Sequence, residues 1–116
     1  MNTPTDIKLH RADNVLEVSF TDGSVFRLTA EYLRTQSPSA EVQGHGPGEG
    51  QLVFGKKNVA VTGIVPTGNY AVRLLFSDGH DTGIFTWDYL YKLGQEFSLR
   101  WPEYLQKLEA AGRRRE

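Results

Sequence analysis

The sequence predicts an α+β domain: a mostly antiparallel sheet of hairpins with two to three short helices, containing two similar strand-turn-strand-helix units. Three observations point there. First, Phe20-Thr21-Asp22-Gly23 through Leu28-Thr29-Ala30-Glu31-Tyr32-Leu33 reads almost like Phe76-Ser77-Asp78-Gly79 through Phe85-Thr86-Trp87-Asp88-Tyr89-Leu90. The offset is 56 residues at the phenylalanines and 57 just before the threonines, so the second copy has one extra residue near its turn, around His80. Second, an Asp-Gly pair separates the apolar runs in each copy, matching the positive φ of tight hairpin turns. Third, the segments between predicted strands are too short for crossover helices, which disfavours parallel βαβ units.

In chain order, Ile7 and Leu9 alternate with Lys8 and His10, the period of a half-buried strand. Arg11-Ala12-Asp13-Asn14 supplies a turn, and residues 15–20 form the next strand. Asp22-Gly23 then places Phe20 and Phe26 on paired strands. Thr29 caps a short helix whose first turn holds Glu31, where negative charge meets the positive helix end. Ser37-Pro38 ends that helix near Arg34, because the residue before a proline is driven out of the α region. Residues 36–50 carry Pro38, Pro47, Gly44, Gly46, Gly48 and Gly50, with Val42 almost alone as a large apolar residue. A loop this long inside a domain is uncommon unless it binds something or moves.

Strands resume at Leu52-Val53-Phe54, turn at Gly55-Lys56-Lys57-Asn58 and continue from Val59 to Val65. Pro66-Thr67-Gly68-Asn69 turns the chain into residues 70–76, whose near-continuous apolar character predicts a central strand covered on both faces. In the second copy Thr86 caps a helix with Trp87 and Asp88 in its first turn, Tyr89, Leu90 and Leu93 inward and Gly94 closing it. A last helix is predicted from about Pro102, with Tyr104, Leu105, Leu108 and Ala111 on one face.

At 116 residues the chain matches one domain, and a domain of this size buries roughly two-thirds of its unfolded surface. Residues 1–116 are expected to form that single domain, with 113–116 a disordered tail in which Arg113-Arg114-Arg115 is solvated or meets a helix dipole. Hydrophobic residues at 39% and charged residues at 23% place the chain among globular proteins rather than disordered ones. No apolar run approaches the ~18 residues of a membrane helix, so no membrane partner is expected. Met1-Asn2-Thr3-Pro4-Thr5-Asp6 has neither the basic start nor the apolar stretch of a secretory signal, which makes a cytoplasmic location the expectation. With no cysteine, disulfides, thiolate zinc sites, iron–sulfur ligation and a cysteine nucleophile are excluded. Thirteen basic and fourteen acidic residues give a net charge of -1, too little field for a nucleic-acid partner held by counterion release.

Several runs carry a resemblance: Tyr32-Leu33-Arg34, Ser37-Pro38-Ser39-Ala40-Glu41-Val42, Gly44-His45-Gly46, Gly68-Asn69-Tyr70 and, above all, Asp78-Gly79-His80-Asp81-Thr82-Gly83-Ile84-Phe85-Thr86-Trp87-Asp88-Tyr89-Leu90. From about Ile7 to Gly112 the chain resembles the DUF971 family, which is similar to the N-terminal domain of gamma-butyrobetaine hydroxylases. In those hydroxylases the domain holds a structural zinc through three cysteines after the first short helix and one histidine in the second hairpin. Carried over, the histidine falls on His80 and the cysteines on Ser37, Ser39 and Val42, none of which supplies a thiolate. The resemblance therefore implies a lost zinc site and a fold held by packing. The hydroxylases' iron lies in a separate domain with a His-x-Asp pair; here His10, His45 and His80 are followed two residues on by Ala12, Pro47 and Thr82, so no facial triad can be drawn. The resemblance also extends to small domains attached to Mrp-type P-loop ATPases that assemble iron–sulfur clusters, which implies an accessory or docking role. This chain has no G-x-x-x-x-G-K-[ST] loop of its own.

Among candidate sites, His80 and His45 with Asp78 and Asp81 make a nitrogen-and-carboxylate set suited to divalent iron, manganese or zinc. The competing reading has Asp78-Gly79 simply make the turn while His80 hydrogen-bonds locally. Ser37 or Ser39, activated by His45 or His80 and oriented by Asp81, would make a nucleophile, but no G-x-S-x-G elbow surrounds either serine. The alternating glycines offer backbone amides to an anion, yet lack the strand before and the helix after. Trp87, Tyr89, Tyr91, Trp101 and Tyr104 have the chemistry of interface anchors, while helical spacing turns Trp87, Leu90 and Tyr91 toward the core. The reading favoured is a non-catalytic binding or accessory module whose glycine loop from Ser37 to Gly50 and His80 hairpin form one surface for a protein partner, with Ser37, Ser39, Glu41, His45 and Trp87 as its binding residues; the resemblance implies docking in metal or iron–sulfur metabolism. The alternative is a metal-binding protein using His80 and His45 with nearby carboxylates. No complete catalytic set supports an enzyme, and no cofactor is expected beyond such a divalent ion.

Overall fold

Two three-stranded antiparallel sheets, each leading into a helix, organise the computed structural model, which describes residues 2–39 and 52–116. The first sheet has the order β1 (Pro4–His10), β2 (Val15–Phe20), β3 (Val25–Thr29) and runs directly into α1 (Ala30–Thr35). In the second, β4 (Val61–Thr67), β5 (Ala71–Phe76) and β6 (Ile84–Thr86) lead into α2 (Trp87–Gln95), followed by α3 (Phe97–Ala110). The architecture is α+β with short helices, as the sequence predicts.

The duplication is visible at the level of single bonds. Gly23 and Gly79 take φ values of 89° and 90° at the two Asp-Gly turns, a region open to glycine because it lacks a Cβ. Thr29 Oγ1 accepts from Tyr32 N and Thr86 Oγ1 from Tyr89 N, each at 3.1 Å. These caps satisfy helix N–H groups that have no intrahelical acceptor.

Alternation along the strands then determines what is buried. Leu16, Val18 and Phe20 of β2 face Leu28 of β3 and, across the domain, Val72, Leu74 and Phe76 of β5. Ala30, Tyr32 and Leu33 of α1, Val59 and Val61, Phe85 of β6, and Leu90 and Leu93 of α2 complete this one cluster. Tyr32 is fully enclosed, and its hydroxyl donates to the Leu93 carbonyl at 2.7 Å, a bond between the two units. Burial pushes this phenol up to about 12, so it remains a donor at any ordinary pH. As the central strand of its sheet, β5 buries one face fully and the other only in part, through Arg73 and Leu75. Pro66 sits in β4, an edge strand where a missing N–H costs no ladder bond.

Four expectations need correction. Residues 52–54 form no strand; the Val53 carbonyl instead accepts from the Tyr104 hydroxyl at 2.6 Å. The last helix starts at Phe97, with Pro102 inside it. Contacts of Phe97 with Tyr32 at 4.9 Å and Trp101 at 6.2 Å hold the turn before the proline against its lost hydrogen bond. Gly94 does not end α2, which continues to Gln95; it makes room for the ring of Phe26. Residues 113–116 are not a loose tail. Gly55 N and Lys57 N donate to the Arg114 and Arg115 carbonyls at 2.9 and 2.8 Å. The Arg115 guanidinium also holds Glu31 through bonds of 2.7 and 2.9 Å.

A Cβ at Gly94 would stand 2.2–2.6 Å from three ring atoms of Phe26. Glycine-to-alanine inside a helix ordinarily stabilises by about 1 kcal/mol. Here overpacking, worth about 1–3 kcal/mol, opposes that gain. Gly94→Ala should therefore lower stability in chemical denaturation, whereas an unchanged or raised midpoint would mean that the ring has room to move.

Candidate functional site

The chemistry collects where the second hairpin meets the end of α1. Asp78 repeats the local bond of its counterpart: its Oδ1 accepts from His80 N at 3.1 Å, as Asp22 Oδ1 accepts from Ser24 N at 2.8 Å. Unlike Asp22, however, Asp78 also receives two cations on Oδ2, Arg34 Nε at 2.8 Å and Lys56 Nζ at 2.6 Å. Burial alone would raise the carboxyl's pKa. The Lys56 bond, the His80 amide and Arg34 outweigh burial and bring it down to about 2.

Beneath this carboxylate His80 is buried, 5.9 Å from the Phe76 ring. Its Nε2 lies 3.0 Å from Ser37 Oγ. Two residues further on, Ser39 Oγ meets Thr82 Oγ1 at 2.8 Å. Gly83 lets the serine come this close, since a Cβ there would stand 2.5 Å from Ser37 Oγ and 3.0 Å from Phe85 Cε1. Next to Ser37, the Gln36 carbonyl accepts from the Tyr89 hydroxyl and its Oε1 from Arg100 at 3.0 Å. Arg100 in turn binds Glu96 at 2.8 Å. The segment leaving α1 is thereby fastened to the β5–β6 connection, α2 and α3 by hydroxyl, imidazole and guanidinium groups.

Several predicted residues are brought together, though not in the predicted roles. Ser37 and His80 do meet, but Ser37 is 0% exposed and His80 7%. A nucleophile needs access for its substrate, and this pair has none. Ser39 is also buried, so neither serine lies on the surface where a docking reading needs it. Asp81 points away, its side chain 61% exposed and 4.0 Å from Arg73. Trp87 is half-buried against the core, with Nε1 donating to the Asn69 carbonyl at 2.8 Å. Glu41, Val42 and His45, with the alternating glycines, lie outside the described residues.

Among the described residues no group of three histidine or carboxylate side chains is placed to hold a metal. The zinc implied by the family resemblance does not fit the donors present. Serine hydroxyls stand at two thiolate positions, and metal ligands of that kind must be deprotonated. The nearby Asp78 carboxylate is already committed to two cations. Arg34, Lys56, Thr82 and Gly83 were not singled out from the sequence. No periodicity ties Lys56 to a turn 22 positions away, and the only local signal is an acidic turn that needs a counter-charge.

Comparison with known proteins places this geometry. The family model described as gamma-butyrobetaine hydroxylase-like, N-terminal, matches residues 7–91. A search of curated proteins finds no match. Two solution NMR structures are similar over 100% of this chain, at 46% and 48% identity. Each has a TM-score of 0.86, and they are covered over 91% and 86% of their own lengths respectively. A crystal structure of a protein of unknown function in the DUF971 family, from Acidithiobacillus ferrooxidans, is 46% identical. There the match covers 79% of this chain and 92% of the other, with a TM-score of 0.68.

Two outcomes follow from the junction. Because the nearest atom to a Cβ at position 83 is Ser37 Oγ, Gly83→Ala should destabilise the wild-type chain by about 1–3 kcal/mol and a Ser37→Ala background by clearly less. Equal costs in a double-mutant cycle would remove the close approach. Asp78 has a folded-state pKa of about 2 against an ordinary value of 3.8, so its stabilisation is full above about pH 4 and fades as pH falls toward 2. In thermal melts Asp78→Asn should differ from wild type at pH 6 and converge on it near pH 2, while a difference independent of pH would contradict the ion pairing.

Proposed function

The chain belongs to the gamma-butyrobetaine hydroxylase-like N-terminal family, and we propose that it is a non-catalytic accessory module that docks onto a protein partner. One observation carries this reading: among the described residues, His80 pairs with buried Ser37 and Asp78 with Arg34 and Lys56, so these candidate groups serve the fold, and the reading turns to the outer surface. That surface has a defined character beside the hairpin. Val65, Arg73 and Ile84 stand side by side across β4, β5 and β6, and directly opposed residues share one face of a sheet. Val65 is 36% and Ile84 42% exposed. Arg73 between them donates to the Asp81 carbonyl at 3.0 Å. Two aliphatic side chains around a cation suit a partner that presents apolar groups around a carboxylate.

The sequence resemblance to small domains attached to iron–sulfur assembly ATPases suggests where to search: a protein handling metals or iron–sulfur clusters. The metal-binding alternative draws no support from Asp78, Asp81 or His80, whose contacts are described above, and His45 lies outside the described residues.

Placing a charge in the aliphatic stripe tests the docking role. Ile84→Glu should keep the native circular dichroism, because this side chain faces solvent, and should lose any partner recovered by quantitative crosslinking with wild type. Recovery of the same partner at the same yield would exclude this face.

A further inference from the structure

We propose that Glu31, Trp101 and the main chain at Gly55 and Lys57 form a recognition site for an arginine carried on a peptide segment of a partner protein, a site that Arg115 of this chain occupies in cis. It lies apart from the docking face on β4–β6 and does not depend on it. The geometry is that of a specific guanidinium socket. Arg115 Nε and Nη2 meet the two oxygens of Glu31 at 2.9 and 2.7 Å, the parallel fork that arginine makes with a carboxylate and lysine cannot. The same guanidinium carbon stands 5.4 Å over the Trp101 ring, so the cation is read on an aromatic face as well. Glu31 is only 6% exposed, whereas the Arg115 side chain remains 42% exposed.

The main chain around the arginine is held as well. Gly55 N and Lys57 N, on the bend and turn ahead of β4, donate to the adjacent Arg114 and Arg115 carbonyls. Arg113 stands 4.7 Å over the ring of Phe54, giving a second cation–aromatic contact two residues earlier. Leu105, Leu108 and Glu109 of α3 lie along the strap's other side. The socket is built by α1, α3 and residues 54–57. The two main-chain bonds and the one ion pair that Arg115 makes here are a set that an arginine of another chain can supply in the same form.

The test uses Arg115→Ala in the full chain, titrated with the peptide acetyl-Gly-Arg-Arg-Arg-Glu-amide and followed by tryptophan fluorescence and amide shifts. Saturable binding is expected, with shifts at Glu31, Gly55, Lys57 and Trp101. Wild type should bind about tenfold or more weakly because its socket is filled, as should a peptide with lysine for the third arginine and the double variant Glu31→Gln/Arg115→Ala. If Arg115→Ala does not fold, Arg115→Lys, which keeps the charge and loses the fork, takes its place in the same titration. Absence of saturation up to millimolar peptide, or equal binding of the lysine peptide, would overturn the proposal.

Discussion

The carboxylate of Asp78 connects three separate parts of the chain at one point. It bonds the His80 amide within its own turn, Arg34 at the end of α1 and Lys56 ahead of β4. All three charged side chains are largely covered, at 12%, 19% and 23% exposure for Arg34, Asp78 and Lys56. Removing one member of a covered charge set leaves the others uncompensated, at a cost of up to about 3–5 kcal/mol where burial is complete. The turn is therefore held in one position, and His80 is held with it above Ser37. Gly83, Thr82 and Ser39 then close the gap at hydrogen-bond distance.

The two repeated units show how one local motif takes two roles. In the first hairpin Asp22 meets Ser24 N and the Tyr91 hydroxyl at 2.6 Å in an exposed setting. Both bonds lower its pKa, Tyr91 the more strongly, yet no cation is needed because solvent is available. In the second hairpin the extra residue coincides with a histidine directed inward and a carboxylate that needs charge partners. Tyr32 and Tyr89, each two residues into its helix after the capping threonine's successor, have parallel tasks as well. Their hydroxyls reach the Leu93 and Gln36 carbonyls, each in the other unit's half of the molecule. Sequence similarity thus produces mutual fastening as well as similar shape.

Much of this was legible from the sequence, for physical reasons that differ element by element. The Asp-Gly turns and threonine caps are local bonds, and their residue types nearly dictate them. The α+β class followed from the short linkers between strands. Less legible was anything set by distant contacts. Gly94 reads as a helix stop until Phe26 is seen against it, and Pro102 as a helix start until Phe97 and Trp101 are seen packing the turn before it. Three arginines after a glycine read as a solvated tail because nothing nearby shows that Glu31 is buried 84 residues away. At the candidate site Ser37 and His80, two of the positions the resemblance groups, lie 3.0 Å apart, but the charge partners of Asp78 lie too far off in sequence to be inferred.

What emerges is a domain whose second hairpin is closed onto α1 by hydroxyls, an imidazole and paired charges, at positions where the family resemblance implies thiolates and zinc. The most direct measurement is a comparison of thermal unfolding before and after exhaustive chelation, with metal content determined by elemental analysis on the same samples. The account predicts superimposable cooperative transitions and metal far below one equivalent per chain. A stoichiometric metal whose removal lowers or abolishes the transition would contradict it.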